Sequence, residues 1–354
     1  MNEPDDFGLS PAQTLAHVAE ARPPHRFHFF WRNWRERILG RAPRLVDRSD
    51  FDASDPTATH EFESDRSVRI GCRLELPSGR VRAGLVLLHG YENPGPLDEQ
   101  VERWRQLIDQ GVAILAIRVR GYPGSTTDCT HIRGGEGWIV HGLEAPIDAA
   151  TGESAWILSG AVADAALACR ALSATLPSGT PVFMHGSSLG GGLAVIAIAQ
   201  LAAIGDAPER VALANPSLGD WPWRLSLDHP LGAGAEIKQH LVTHAELEDE
   251  LVETLRLFDA ALHAPHVRYP ALCKLAERDD VVPAPTAAAV YNALGSSGAD
   301  RWRYVTKYAH FDGGIADMRR HARFEEAVRC FFDPQTSADE SLFRWVKRRA
   351  ETLS

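Results

Sequence analysis

The chain has 354 residues, 44% of them hydrophobic and 24% charged, with a formal net charge of −10. That length buries a sizeable core without disulfides or a structural metal. The acidic balance argues against a nucleic-acid partner and against binding driven by an anionic membrane.

The opening stretch, Met1 to Leu15, has neither a basic region nor an apolar run, so no secretory signal is expected and the chain is read as cytoplasmic. No stretch reads as a bilayer span; the most apolar, Leu193 to Ile204, is too short. Cys72, Cys129, Cys169, Cys273 and Cys330 are odd in number and scattered, with no CxxC pair and no Cys/His ligand spacing. They are read as idle reduced thiols, with neither a zinc site nor a disulfide framework.

Residues 1–65 are read as an N-terminal helical extension packed on the main body. In it the run FHFFWRNWRERI, Phe27 to Ile38, repeats bulky residues at helical spacing. An aromatic substrate platform is the alternative for that run. From Ser67 onward short apolar runs alternate with amphipathic stretches. Strands are predicted at Ser67–Leu76, Ala83–His89, Val112–Val119, Pro181–His185, Val211–Ala214, Ala271–Ala276 and Trp302–Lys307. Helices are predicted around Gln100–Gln110, over Ala155–Ala174 and directly after Ser188. This alternation predicts an α/β chain with a doubly wound, mostly parallel sheet, whose working groups lie at the carboxyl ends of its strands. The catalytic domain is placed at 66–335. It carries an insertion at about 217–265, with Trp221, Trp223 and an acidic helix around Glu246–Asp259, serving as a lid, an assembly surface or a packing helix. Residues 336–354 form a helical tail.

The sharpest local signal is HGSSLGGG, His185 to Gly192, between a short apolar strand and an Ala/Leu/Ile-rich helix. Gly186 to Gly190 fits G-x-S-x-G, the nucleophile elbow of the α/β-hydrolase fold, with Ser188 as the nucleophile. The strand-to-helix turn is so tight that side chains flanking the serine would clash, so glycines stand there. Ser187 lacks the flanking pattern, since His185 stands where a glycine is needed.

In this fold the triad runs in the order Ser, acid, His. Of the late histidines, His321 lies in an amphipathic helical pattern and reads as a surface residue. His310 follows a strand in YAHFDGG, where a loop can bring it over the serine. The acid belongs at the end of the preceding strand, where LAERDDVVP supplies Asp279 and Asp280; spacing alone leaves the two open. An oxyanion hole needs two backbone N–H groups. Leu189, after the nucleophile, supplies one, and Tyr91 in LLHGYENPG the other. His89 precedes the serine and reads as structural.

So assembled, the chain from about residue 25 to 332 resembles the acetyl xylan esterase and cephalosporin C deacetylase family, carbohydrate esterase family seven. The family's early FW helix looks like Phe30-Trp31, its HGY loop like His89-Gly90-Tyr91, and its RGQ motif like Arg120-Gly121-Tyr122 with Gly124-Ser125 beyond. The G-x-S-Q-G elbow appears as Gly186 to Gly190, TL-x-x-FD as Thr254-Leu255 with Phe258-Asp259, and HE-x-G as His310 to Gly313. The family's aspartate is followed by a variable residue, an aliphatic residue and a proline, an alignment that favours Asp279. Three positions depart: Tyr122 and Leu189 replace glutamines, and Phe311 replaces the glutamate that supports the RGQ arginine. Arg120 loses that partner, and Asp312 or another carboxylate is its candidate replacement. The resemblance implies a serine esterase acting without cofactor or metal on small esters, acetates of sugars or other compact alcohols, and a homo-oligomer, in the family a hexamer. A serine peptidase, a thioesterase or a non-catalytic binding module on the same fold are the alternatives.

Overall fold

The computed structural model describes residues 4–40, 42–48, 55–92, 95–126, 135–148, 151–296, 298–310 and 315–353. Among them one nine-stranded sheet runs in the order β1-β2-β3-β5-β4-β6-β7-β8-β9. The strands are β1 (Val46–Asp47), β2 (His60–Glu63), β3 (Arg69–Glu75), β4 (Ala83–Leu88), β5 (Val112–Ile117), β6 (Val182–Ser187), β7 (Arg210–Ala214), β8 (Ala271–Arg278) and β9 (Arg301–Tyr308). β4 to β9 pair in parallel, whereas β1, β2 and β3 extend one edge antiparallel.

The central strands read as unbroken apolar runs because both of their faces are covered. Side-chain alternation divides them between two cores. In β4, Val86 and Leu88 join the helices Phe27–Ile38, Ile157–Thr175 and Leu189–Ala202 on one face. Leu85 and Leu87 join the helices Arg105–Asp109, Ile315–Phe331 and Ala338–Arg349 on the other. The Phe27–Ile38 helix buries Phe27, Phe30, Trp31 and Trp34 against the body, the packing helix expected for this run, and leaves Phe29 exposed. Trp31 donates to the Leu257 carbonyl at 2.9 Å, and Phe258 packs edge-on against Phe30, Trp31 and Trp156. Each such aromatic is worth about 1.5–3 kcal/mol of burial.

Four readings change. The stretch before residue 65 adds β1 and β2 to the sheet edge as well as helices. The helix expected over Gln100–Gln110 is two short ones, Leu97–Glu102 and Arg105–Asp109, broken at Arg103 and Trp104. One helix, Ile157–Thr175, is long and apolar enough to cross a membrane by length and composition; here it is packed in the core. His321 is not simply a surface residue, since its ring bonds the Tyr308 carbonyl at 3.0 Å and lies 3.2 Å from Asp317. Cys72, Cys169, Cys273 and Cys330 are free thiols, and Cys129 lies outside the described residues.

Candidate active site

At the carboxyl end of β6 the chain turns through Ser188 directly into the helix Leu189–Ala202. Ser188 holds φ 53° and ψ −116°, a conformation costly for any residue with a Cβ. Its neighbours fix it there. The Ser188 N–H donates to the Ala214 carbonyl at 2.8 Å, and the Ser188 carbonyl accepts from Gly191, Gly192 and Ser217 at 3.0–3.1 Å. The flanking glycines are sterically required. A Cβ on Gly186 would sit 2.2 Å from the Gly190 carbonyl oxygen, and one on Gly190 would sit 2.4 Å from the Leu88 carbonyl oxygen.

Asp279 directly follows β8 and is 2% exposed. Its Oδ2 is 2.6 Å from His310 Nδ1, while Oδ1 accepts from the Val281 and Val282 amides at 3.1 Å each. Asp280 has no such role: burial raises its pKa, and its Oδ1 is buried without a partner. Of the two adjacent carboxylates, Asp279 is the one placed beside His310. His310 and Ser188 line one cavity of about 330 Å³, with Gly90, Tyr91, Leu189, Ser217, Leu218, Arg224 and Val282 also in its wall.

The loop after β4 passes close to the serine; a Cβ on Gly90 would lie 3.8 Å from Ser188 Cβ. Among the described residues neither the Tyr91 nor the Leu189 backbone N–H has a hydrogen-bond partner, so both remain available. The loop is tied down on both sides. The Tyr122 hydroxyl donates to the Tyr91 carbonyl. The Tyr91 hydroxyl donates to Glu236 Oε2 at 2.7 Å and accepts from the Ile139 amide at 3.1 Å, and Gly137 N–H adds a 2.9 Å bond to the same carboxylate oxygen. Beneath the loop His89 accepts from the Val119 amide through Nε2 and bonds the Gly90 carbonyl through Nδ1. Burial pulls its pKa down to about 4, so it is a neutral structural ring.

Opposite stands the loop after β7, where Asn215, Leu218 and Asp220 all hold positive φ. The Asp259 carboxylate anchors it, accepting from the Asp220 amide at 2.9 Å, the Trp221 amide at 3.1 Å and the Ala261 amide at 2.9 Å. Burial raises the Asp259 pKa to about 6.

Arg120 finds its partner inside the core: Asp164, on the helix Ile157–Thr175, at 2.8 Å. Phe311, Asp312 and Gly313 lie outside the described residues. Sequence reasoning missed Asp164, which is 44 residues from Arg120 and sits within an apolar helix. It also missed Arg224, for which no motif gives a signal.

A mostly parallel sheet with a serine elbow after β6, and an Asp–His pair in the loops that follow β8 and β9, defines an α/β-hydrolase. The acetyl xylan esterase (AXE1) family model matches residues 9–327, and the chain belongs to that family. It is a carboxylic ester hydrolase. Acetyl xylan esterase 1 from Thermoanaerobacterium sp. JW/SL YS485 is similar in structure, with a TM-score of 0.68, 20% identity, and coverage of 89% of this chain and 98% of that one. The acetyl xylan esterase from Paenibacillus sp. R4 has a TM-score of 0.68 and 22% identity, with the same two coverages of 89% and 98%. The fold is shared more loosely with the Pyrococcus horikoshii acylaminoacyl peptidase, at TM-score 0.52 and 15% identity over 82% of this chain and 41% of that one. A search of curated proteins gives no match.

Proposed function

We propose that this chain is a serine esterase that hydrolyses small esters, acetates of sugars or of similarly compact alcohols, through an acyl-enzyme on Ser188. The observation that carries the reading is the 2.6 Å contact between Asp279 Oδ2 and His310 Nδ1 in a cavity wall that also contains Ser188. With its Nδ1 proton held by Asp279, His310 presents Nε2 as the base. His310 takes the Ser188 proton as Oγ attacks the ester carbon. The tetrahedral oxyanion is received by the Tyr91 and Leu189 amides, aided by the positive end of the Leu189–Ala202 helix. Collapse expels the alcohol, protonated by His310. Water then enters, loses its proton to His310, attacks the acyl carbon and releases the acid and free Ser188. No step requires a metal or cofactor. The small size of the cavity supports a compact substrate, since about 330 Å³ is at the low end for small-molecule sites.

A fluorophosphonate probe tests the mechanism. Wild-type protein should label and Ser188→Ala should not; an unlabelled wild type, or equal labelling of the variant, sinks the serine mechanism. A p-nitrophenyl ester series from acetate to decanoate tests the acyl size, and preference for long chains would count against a compact acyl group. Assembly as a homo-oligomer, implied by the family resemblance, belongs to the same reading and is checked by light scattering.

A further inference from the structure

The ester chemistry leaves one buried cation of the cavity unused. Arg224, in the short helix Trp221–Ser226, is 2% exposed and lines the same wall as Ser188 and His310. A guanidinium carries five N–H donors. Among the described residues it makes one hydrogen bond, from Nη2 to the Val281 carbonyl at 2.9 Å, and its buried Nε meets no acceptor there. Among the described residues no carboxylate lies within ion-pair distance of it. The negative charge that acts on it is Asp279, which is already engaged by His310 and by two backbone amides. The guanidinium is held in place by packing. Its carbon lies 5.4 Å from the Trp221 ring centre, and a Cβ on Gly234 would come within 2.6 Å of Nε. Burial lowers its pKa to about 10, which leaves it charged at neutral pH.

Buried guanidinium groups ordinarily have carboxylate partners, because desolvating an unpaired charge is costly. One with open donors beside a nucleophile is suited to receive a planar anion. Most of the surrounding wall is small and uncharged: Gly90, Ser217, Leu218, Gly232, Ala233 and Val282. Glu92 also reaches the cavity, but it is exposed, where solvent screens its repulsion. We propose that this enzyme prefers esters that carry a carboxylate, with Arg224 as the residue that receives it. The inference rests on the serine-esterase reading and narrows its substrate class. The carboxylate can belong to the acyl half, as in a half-ester of a dicarboxylic acid, or to the alcohol half, as in an acetylated hydroxy acid.

Two substrate pairs separate these sources: p-nitrophenyl hemisuccinate against p-nitrophenyl valerate, and 4-acetoxybenzoate against its methyl ester. In one pair the wild type should favour the acid by about tenfold or more in kcat/KM, mainly through KM, as expected for a charge-assisted contact. Arg224→Gln should bring that ratio to one or below, and Arg224→Lys should retain part of it. A preference for the neutral ester in both pairs, or an unchanged ratio in folded Arg224→Gln, overturns the proposal. If the variants do not fold, inhibition of wild-type p-nitrophenyl acetate hydrolysis decides. Succinate or benzoate should compete and their amides should not; equal inhibition by acid and amide overturns the proposal. Loss of all ester hydrolysis would remove the serine-esterase reading and this one together, whereas hydrolysis of neutral esters alone removes only this one.

Discussion

Arg120 and Asp164 form a two-pronged pair inside the core, Nε to Oδ2 at 3.0 Å and Nη2 to Oδ1 at 2.8 Å. The Arg120 backbone N–H bonds the same carboxylate at 2.9 Å, and the Ser64 hydroxyl completes it at 2.5 Å. The pair therefore joins the strand leading into the Tyr122 turn to the helix Ile157–Thr175 and to the segment before β3. Removing one partner leaves the other charge buried alone. Asp164→Ala should cost about 3–5 kcal/mol of stability, read from the urea midpoint. Gly160→Ala should also destabilise, since its Cβ would fall 2.1 Å from Arg120 Nη1. A loss under 1 kcal/mol in both variants would show that the pair is dispensable.

The contrast between adjacent aspartates is sharper still. Asp279→Asn keeps the shape beside His310 but removes the charge that holds its tautomer, and kcat should fall by about 10³–10⁴. Asp280→Asn should remain within about threefold of wild type, because the imidazole's hydrogen bond goes to Asp279 and Asp280 acts on it only as a more distant charge. Steady-state kinetics on p-nitrophenyl acetate compares them directly. Similar losses in both would dissolve the distinction.

Tyr122→Phe removes the hydroxyl that holds the Tyr91 carbonyl. One such bond is worth about 1–1.5 kcal/mol, so kcat should drop about five- to tenfold if Tyr91 must be held for its amide to meet the oxyanion. KM should change little. An effect confined to KM would place Tyr122 in substrate binding instead.

Acid should unfold the protein early. Burial lowers the pKa of His89 and His185 to about 4 and that of His263 to about 3. The unfolded value is about 6.5, so the unfolded chain binds more protons in between. The stability these rings contribute is complete above about pH 6.5 and is lost as pH falls toward 4. Asp259 opposes them in the same window, since its folded pKa of about 6 lies above the unfolded carboxylate value. The balance near pH 5 is about two protons, or about 3 kcal/mol per pH unit. Urea midpoints at pH 8, 6.5 and 5 measure it; equal midpoints would contradict the burial of these rings.

What the sequence shows and what it hides divide along a physical line. The Ser188 elbow is legible because a tight turn imposes its glycines locally, within five residues. The parallel strands are legible because two-sided burial makes them apolar throughout. Spacing alone leaves the acid as either of two adjacent residues, because the path of the chain after β8 decides which carboxylate turns toward His310; the family alignment favours Asp279 where spacing does not choose. Asp164 is illegible for a related reason: a charge inside an apolar helix announces a buried partner without saying where it lies. β1 and β2 are short edge strands whose pairing depends on β3 already being in place. Arg224 belongs to no motif; its open donors show only in the fold, where among the described residues no carboxylate lies within ion-pair distance of it.

The left-handed residues of the loop after β7 have a kinetic meaning. Asn215, Leu218 and Asp220 are held in unfavourable conformations by the folded chain around them, with Asp259 as the clasp. The ordering of that wall is therefore completed during folding, and an arriving ester does not have to bring it about.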